Sequence, residues 1–169
     1  MTRLCLLALC AALGCSGCLS KPARPDAETY LKIVQNPSAA SPETLAKAAT
    51  KLGEMGEAKA VTPLTALLRN PDSNVRNQTA LSLGLLRGYS AAPQLSAALL
   101  NENTSSVRVM MAWAVGELGG EAERQTLSSL LSMEKAKGAF NGPGALDKRY
   151  VAALEAAMKR IDARRSGKQ

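Results

Sequence analysis

Residues 75–86 read VRNQTALSLGLL, and this pattern occurs three times in the chain. It returns 32 positions later as VRVMMAWAVGEL at 107–118, and it stands 31 positions earlier as TLAKAATKLGEM at 44–55. Shorter apolar segments follow the three copies at 58–69, 91–100 and 121–133. Self-similarity at such a period predicts a stack of helical pairs, each a helix, a turn and a second helix.

Small residues recur at fixed phases of the repeat and indicate how the helices pack. The recurring positions are Ala49, Ala80 and Ala112, then Leu52, Leu83 and Val115, then Gly53, Gly84 and Gly116. Glycine inside a helix costs about 1 kcal/mol relative to alanine, so its return at one phase needs a physical reason. We expect the first helices of successive units to approach closely there. Gly56, Gly88 and Gly119-Gly120 are expected to end these helices in the left-handed conformation.

The composition favours helices and argues against an enzyme. Hydrophobic residues make up 46% of the chain but aromatic residues only 3%, so the core must consist of Leu, Ala, Val and Met. The chain has no histidine, which removes the commonest general base and the imidazole metal ligand. All four cysteines lie in the first 18 residues, so the remainder has neither a disulfide framework nor a thiolate site. We therefore predict no catalytic residue, no metal site and no cofactor.

The amino terminus has the pattern of an export signal. Arg3 is followed by a run of ten apolar residues at 4–13. This run is too short to cross a bilayer, which takes about 20 residues, and it fits the hydrophobic region of a secretory signal.

A cysteine follows a small residue twice after this run, at Gly14-Cys15 and Gly17-Cys18. The segment resembles a bacterial lipoprotein signal, in which such a cysteine is diacylated and becomes the new amino terminus. The resemblance implies a signal peptide at 1–14 and lipid on Cys15, with Cys18 as the alternative. An ordinary signal peptide cleaved nearby is the other possibility. Two or more acyl chains suffice for stable membrane anchoring.

The remaining chain divides into a spacer and a repeat domain. Residues 15–40 contain three prolines and predict an extended tether with a short capping helix at about 27–35, begun by Asp26. The repeat domain is expected at 41–165, with a disordered tail at 166–169. Residues 147–158 resemble a first helix without a second and predict a carboxy-terminal cap.

The repeats resemble HEAT repeats of the bacterial type found in phycobilisome lyases. That type has Val-Arg, then Ala, then Leu-Gly, with a proline near the start of the second helix, and Val75-Arg76, Thr79-Ala80, Leu83-Gly84 and Pro93 match it. The first unit departs from it with Thr44-Leu45 in place of Val-Arg. The resemblance implies an all-α fold, a short right-handed α-solenoid of about three helical hairpins plus capping helices.

Two recurring arginines and the only tryptophan are candidate contacts. Arg76 and Arg108 occupy one phase of the repeat. In HEAT repeats this arginine bonds to a neighbouring turn, and Asp72 and Asn74 are near in sequence; the alternative is a basic ladder for an anion. Trp113 is the only tryptophan, and it either packs in the core or forms a platform for a ligand.

Two further regions are candidates for partner binding. The segment 134–146 is rich in glycine, predicts a flexible loop, and holds the only phenylalanine, Phe140. The carboxy-terminal end is basic through Lys159, Arg160, Arg164 and Arg165. Such cations suit the negative end of a helix dipole, or they contact anionic lipid or an acidic partner.

These features favour a binding role over a catalytic one. The leading hypothesis is a non-catalytic envelope lipoprotein that presents its repeats to an unidentified envelope protein. The outer membrane, facing the periplasm, is favoured over the inner membrane. The membrane is reached through the lipid, and neither nucleic acid nor a small-molecule substrate is expected. The alternatives are a bilin-lyase-like or other enzyme on a HEAT scaffold, and membrane-surface binding through the basic carboxy-terminal helix.

Overall fold

A computed structural model of the chain describes residues 26–138 and 146–167. Within these residues the regular structure is entirely helical, which confirms the predicted short all-α solenoid. The helices are α1 (Ala27–Gln35), α2 (Pro42–Met55), α3 (Val61–Leu67), α4 (Ser73–Leu85), α5 (Ala92–Leu100), α6 (Ser105–Leu118), α7 (Glu121–Gly138) and α8 (Lys148–Arg165). No helix in the described part of the chain is both long enough and apolar enough to cross a membrane.

Polar side chains fix where several helices begin. Asp26, Ser41, Asp72 and Asp147 each accept a hydrogen bond from a backbone N–H in the first turn of the helix that follows. The first N–H groups of a helix have no partner within it, so such a cap stabilises the helix by about 1 kcal/mol. The short predicted helix at about 27–35 is confirmed as α1, which packs against α2 and α3.

The even-numbered helices α2, α4, α6 and α8 form one layer and stack in chain order. The predicted close approach at the recurring glycines is confirmed. A Cβ atom on Gly53 would lie 2.9 Å from Ser82 Cα, and one on Gly116 would lie 2.7 Å from Ala157 Cα. A Cβ on Gly84 would clash with the indole of Trp113. Glycine is therefore required where one helix of this layer meets the next.

The odd-numbered helices form the second layer, and each packs most closely against the even-numbered helix that follows it. Leucines fill the space between the layers, and Leu52, Leu64, Leu83, Leu95 and Leu154 have no exposed surface. Complete burial of one leucine contributes about 1.5–3 kcal/mol relative to an exposed one. The helix α8 occupies the place of a first helix and closes the core, as its sequence indicates.

Three details differ from the sequence-based expectations. The helix α7 continues to Gly138, so the first part of the predicted loop 134–146 is helical. Its Glu134 is buried and accepts a hydrogen bond from Arg108. Gly56 has the expected left-handed conformation with φ 71°, but Gly88 and Gly119 have φ of −73° and −72°. Arg87 adopts the positive φ in place of Gly88, and Gly119 leaves α6 in an extended conformation.

Several predictions fall outside the described residues. These are the signal peptide at 1–14, the lipidated Cys15 with its alternative Cys18, the tether as far as residue 25, Phe140, and the tail at 168–169.

Candidate interaction surface

Arg76 and Glu102 join the second and third repeats. Arg76 Nε lies 2.6 Å from Glu102 Oε2, and Nη2 lies 2.9 Å from Oε1, so the pair is bidentate. Arg76 Nη1 also donates to the carbonyl oxygens of Asn70 at 2.8 Å and Pro71 at 2.9 Å. The expected bond of this arginine to a neighbouring turn is confirmed, although its acidic partner lies 26 residues further along the chain.

Arg108 repeats the arrangement one unit later. Arg108 Nη2 lies 2.7 Å from Glu134 Oε2, again 26 residues further along, and its guanidinium carbon lies 3.7 Å from the centre of the Tyr150 ring. Lys137 donates to the same carboxylate at 3.0 Å. Glu134 also accepts a bond from the backbone N–H of Asp147 at 3.2 Å, which connects α7 to the start of α8.

Both glutamates are stabilised in the charged form although their side chains are only 4% and 3% exposed. Burial by itself would raise the pKa of Glu102, but the hydrogen bonds from Arg76 and Thr104 lower this pKa to about 2. Burial by itself would also raise the pKa of Glu134, but the hydrogen bonds from Arg108 and Lys137 lower it. Burial raises the pKa of Tyr150, which stays neutral. The two arginines are thus occupied by internal partners and offer little to an external anion.

Three of the four predicted basic residues at the carboxy terminus bind the end of α6 and the start of α7. Arg164 donates to the carbonyl oxygens of Gly116 and Gly119, both at 2.6 Å. Arg160 Nε lies 2.9 Å from Glu117, and Arg165 pairs with Glu121. Lys159 is exposed. The arrangement caps the carboxyl end of α6 with cations, which the helix dipole favours.

Trp113 is half-buried and packs against the core. Its indole lies over Gly84, so the ring fills the space that a side chain at this position of the repeat would take. This contact supports the packing interpretation of Trp113.

The odd-numbered helices leave a groove along the other layer of the solenoid. A cavity of about 550 Å³ lies between α3 and α5 and is lined by Thr62, Arg69 and Gln94 among others. A second cavity of about 440 Å³ shares Arg69 and Ala98 with it and ends at Arg76 and Glu102. A third, of about 540 Å³, shares Thr62 and continues past Lys59 to the end of α1. Because neighbouring cavities share lining residues, we treat the three as one surface and call it the α3–α5 groove, although the third lies between α1 and α3.

The two helical stretches on either side of the α3–α5 groove carry a single positive charge. Residues 61–69 read VTPLTALLR and residues 92–100 read APQLSAALL, so Arg69 is the single charged residue in both stretches. The Arg69 side chain is exposed and has no ion pair with any described residue. Glu102 lies at one end, but its carboxylate is neutralised by Arg76. Among the described residues, no group of three or more acidic or cysteine side chains could hold a metal ion.

Sequence analysis missed Arg69, Glu102 and Glu134. A signal for the two glutamates was present, because both follow a repeat arginine by 26 residues. Arg69 carried a weaker signal as the single charge in its helical segment.

Two stacked helical layers with recurring close contacts define an α-solenoid repeat protein. The family model for HEAT repeats matches residues 28–114, which cover α1 to most of α6. The chain therefore belongs to the HEAT-repeat family. A comparison with curated proteins finds no match.

Proposed function

We propose that the protein is a non-catalytic lipoprotein of a bacterial cell envelope that acts as a scaffold or adaptor for another envelope protein. The open α3–α5 groove is the observation that carries this proposal. HEAT solenoids present extended surfaces on which partners dock, and this groove leaves Thr62, Arg69 and Gln94 available to a partner.

The amino-terminal sequence supports the anchoring part of the proposal. The apolar run at 4–13 and the cysteines Cys15 and Cys18 have the order of a lipoprotein signal. A lipid on either cysteine would tether the solenoid through the proline-containing segment before α1. Ser16 follows Cys15. Lipoproteins that stay in the inner membrane often have Asp at this position, so the serine favours the outer membrane.

Photo-crosslinking in intact cells tests the scaffold. A photoreactive amino acid at Gln94 lies in the α3–α5 groove, and the matched control is the same amino acid at exposed Lys47 on α2. We expect a reproducible protein adduct from Gln94 and none from Lys47. Absence of an adduct from Gln94, under conditions where the protein is present and folded, would count against a scaffold that uses this groove.

Metabolic labelling with radioactive palmitate tests the anchor. The wild-type protein is expected to take up label and to sediment with membranes. Cys15→Ser is expected to lose both properties, whereas Cys18→Ser keeps them. If Cys15→Ser keeps the label and Cys18→Ser loses it, the lipidated residue is Cys18. If the wild type takes up no label, the protein is not lipidated.

A further inference from the structure

The α3–α5 groove combines two cations that have no ion pair with a described residue, Arg69 and Lys59, with small neutral side chains. Arg69 lies where two of its cavities meet, because it lines both of them. Around it are Ala66, Ala98 and Thr65, and the hydroxyl of Thr65 is already bonded to the carbonyl of Val61 at 2.7 Å. Small residues let an extended main chain approach closely, and amide or hydroxyl groups such as Gln94 can bond to it.

From this arrangement, which rests on the proposed scaffold function, we infer that the α3–α5 groove binds an extended acidic peptide segment of a partner protein, with a carboxylate of that segment paired to Arg69. The arginine fork matches the two oxygens of a carboxylate. Lys59, exposed at the α1 end of the groove, is placed to meet a second carboxylate.

The number of cations favours a carboxylate peptide over a phosphate-bearing ligand. Recognition of phosphorylated motifs relies on arginine clusters, and anionic lipid surfaces attract segments with about four to eight basic residues. The groove offers Arg69 and Lys59, while Arg76 at its end is held by Glu102. Two separated cations match the charge of a short acidic segment.

The stretches outside the described residues do not supply the acidic segment. All 14 acidic residues of the chain lie between Asp26 and Asp162, within the described residues. The stretches outside them, 1–25, 139–145 and 168–169, contain no Asp or Glu, and 1–25 carries Arg3, Lys21 and Arg24. These three stretches therefore lack the carboxylate side chains that would pair with Arg69.

Fluorescence anisotropy with the full-length protein in a mild non-ionic detergent tests the inference. The probe is a labelled decapeptide of alternating glutamate and serine, and the matched probes carry glutamine or lysine in place of glutamate. The glutamate peptide is expected to bind saturably, and the glutamine peptide at least about fivefold more weakly, as for loss of a significant interface contact. Binding of the glutamate peptide should weaken as salt is raised, because screening shortens the range of the charges.

Charge reversal separates Arg69 from general electrostatics. Arg69→Glu is expected to lose the glutamate peptide and to gain the lysine peptide, whereas Lys47→Glu on α2 changes neither by more than about twofold. Arg69→Lys keeps the charge without the fork, so intermediate binding is expected. Circular dichroism checks that each variant is folded.

The contrary outcomes are distinct. Equal losses from Arg69→Glu and Lys47→Glu, equal binding of the glutamine peptide, or binding of phosphatidylglycerol vesicles in place of the peptide would each overturn the inference. So would an Arg69-dependent dimer in sedimentation equilibrium without peptide binding. The Gln94 crosslink distinguishes this failure from that of the scaffold: an adduct that persists in Arg69→Glu refutes the acidic partner and leaves the scaffold standing.

Discussion

Replacement of Glu102 by glutamine is expected to destabilise the solenoid where its second and third repeats meet. The Glu102 side chain is only 4% exposed and forms both hydrogen bonds of the pair with Arg76. It also accepts from the backbone N–H groups of Asn103 at 3.0 Å and Thr104 at 2.8 Å, ahead of α6. The variant Glu102→Gln keeps the shape but removes the charge and one acceptor that the fork of Arg76 needs.

The lowered pKa of Glu102 gives the magnitude. Its ordinary pKa of 4.5 falls to about 2 in the folded protein. This difference corresponds to roughly 3 kcal/mol of folding free energy at neutral pH. Breaking a buried ion pair by removal of one partner costs about 3–5 kcal/mol. Because glutamine still accepts one bond, we expect Glu102→Gln to lower the free energy of unfolding by about 2–3 kcal/mol.

The sign of the pH dependence follows from the same shift. A carboxylate whose folded pKa lies below its unfolded pKa stabilises the folded protein fully above pH 4.5 and loses this effect as the pH falls toward 2. Glu134, Asp147 and Asp162 also have lowered pKa values, so the wild type has several such contributions. The difference between the wild type and Glu102→Gln cancels those and isolates Glu102.

Urea unfolding followed by circular dichroism at pH 7, 4 and 3 measures this difference. Glu43→Gln is the control, because Glu43 is exposed in the first turn of α2 and its loss is expected to cost less than about 1 kcal/mol. The Glu102→Gln deficit should be largest at pH 7 and shrink as the pH falls. A deficit at pH 7 no larger than that of the control, or one that stays constant down to pH 3, would refute the reasoning.

Three further substitutions test the helix contacts. Gly116→Ala places a methyl group against the backbone of Ala157. Because a backbone atom cannot rotate away as a side chain can, we expect the free energy of unfolding in urea to fall by about 1–3 kcal/mol. Gly84→Ala presses on the indole of Trp113; since this is the only tryptophan, a red shift of its fluorescence is expected as the ring moves toward water, and an unchanged spectrum would contradict the contact. Arg164→Ala leaves the two carbonyls at the end of α6 without their donor, and a lower melting temperature by several degrees is expected; Lys159→Ala, the exposed control, should melt like the wild type.

The repeat could be predicted from the sequence because it depends on local properties that recur. Ala80, Leu83 and Gly84 have counterparts one unit before and after, and their spacing alone places them on the packed side of a helix. The bounds of α1 can be predicted in the same way, because Asp26 begins this helix and Asn36-Pro37 ends it. These elements follow from helix period, capping and the proline restriction, all of which act within a few residues.

The missed features depend on contacts between distant residues. The extension of α7 past 133 follows from the bond of Glu134 to Arg108, which composition does not reveal. Gly119 was expected to take a left-handed cap, but Arg164, 45 residues away, supplies donors for the carbonyl groups at that end. A local rule predicts the capping residue only when no distant side chain satisfies the same groups.

The ion pair between Arg76 and Glu102 also affects the shape of the α3–α5 groove. Arg76 holds the carbonyl oxygens of Asn70 and Pro71, the two residues that directly follow Arg69. Arg76 and Glu102 form the end wall of the groove as well. The Arg76–Glu102 pair therefore holds the backbone that directly follows Arg69. Arg76→Gln releases these carbonyl groups and leaves the carboxylate of Glu102 without its cation at the end of the groove. Both changes act against an acidic ligand, so Arg76→Gln should weaken acidic-peptide binding even under conditions where the protein stays folded.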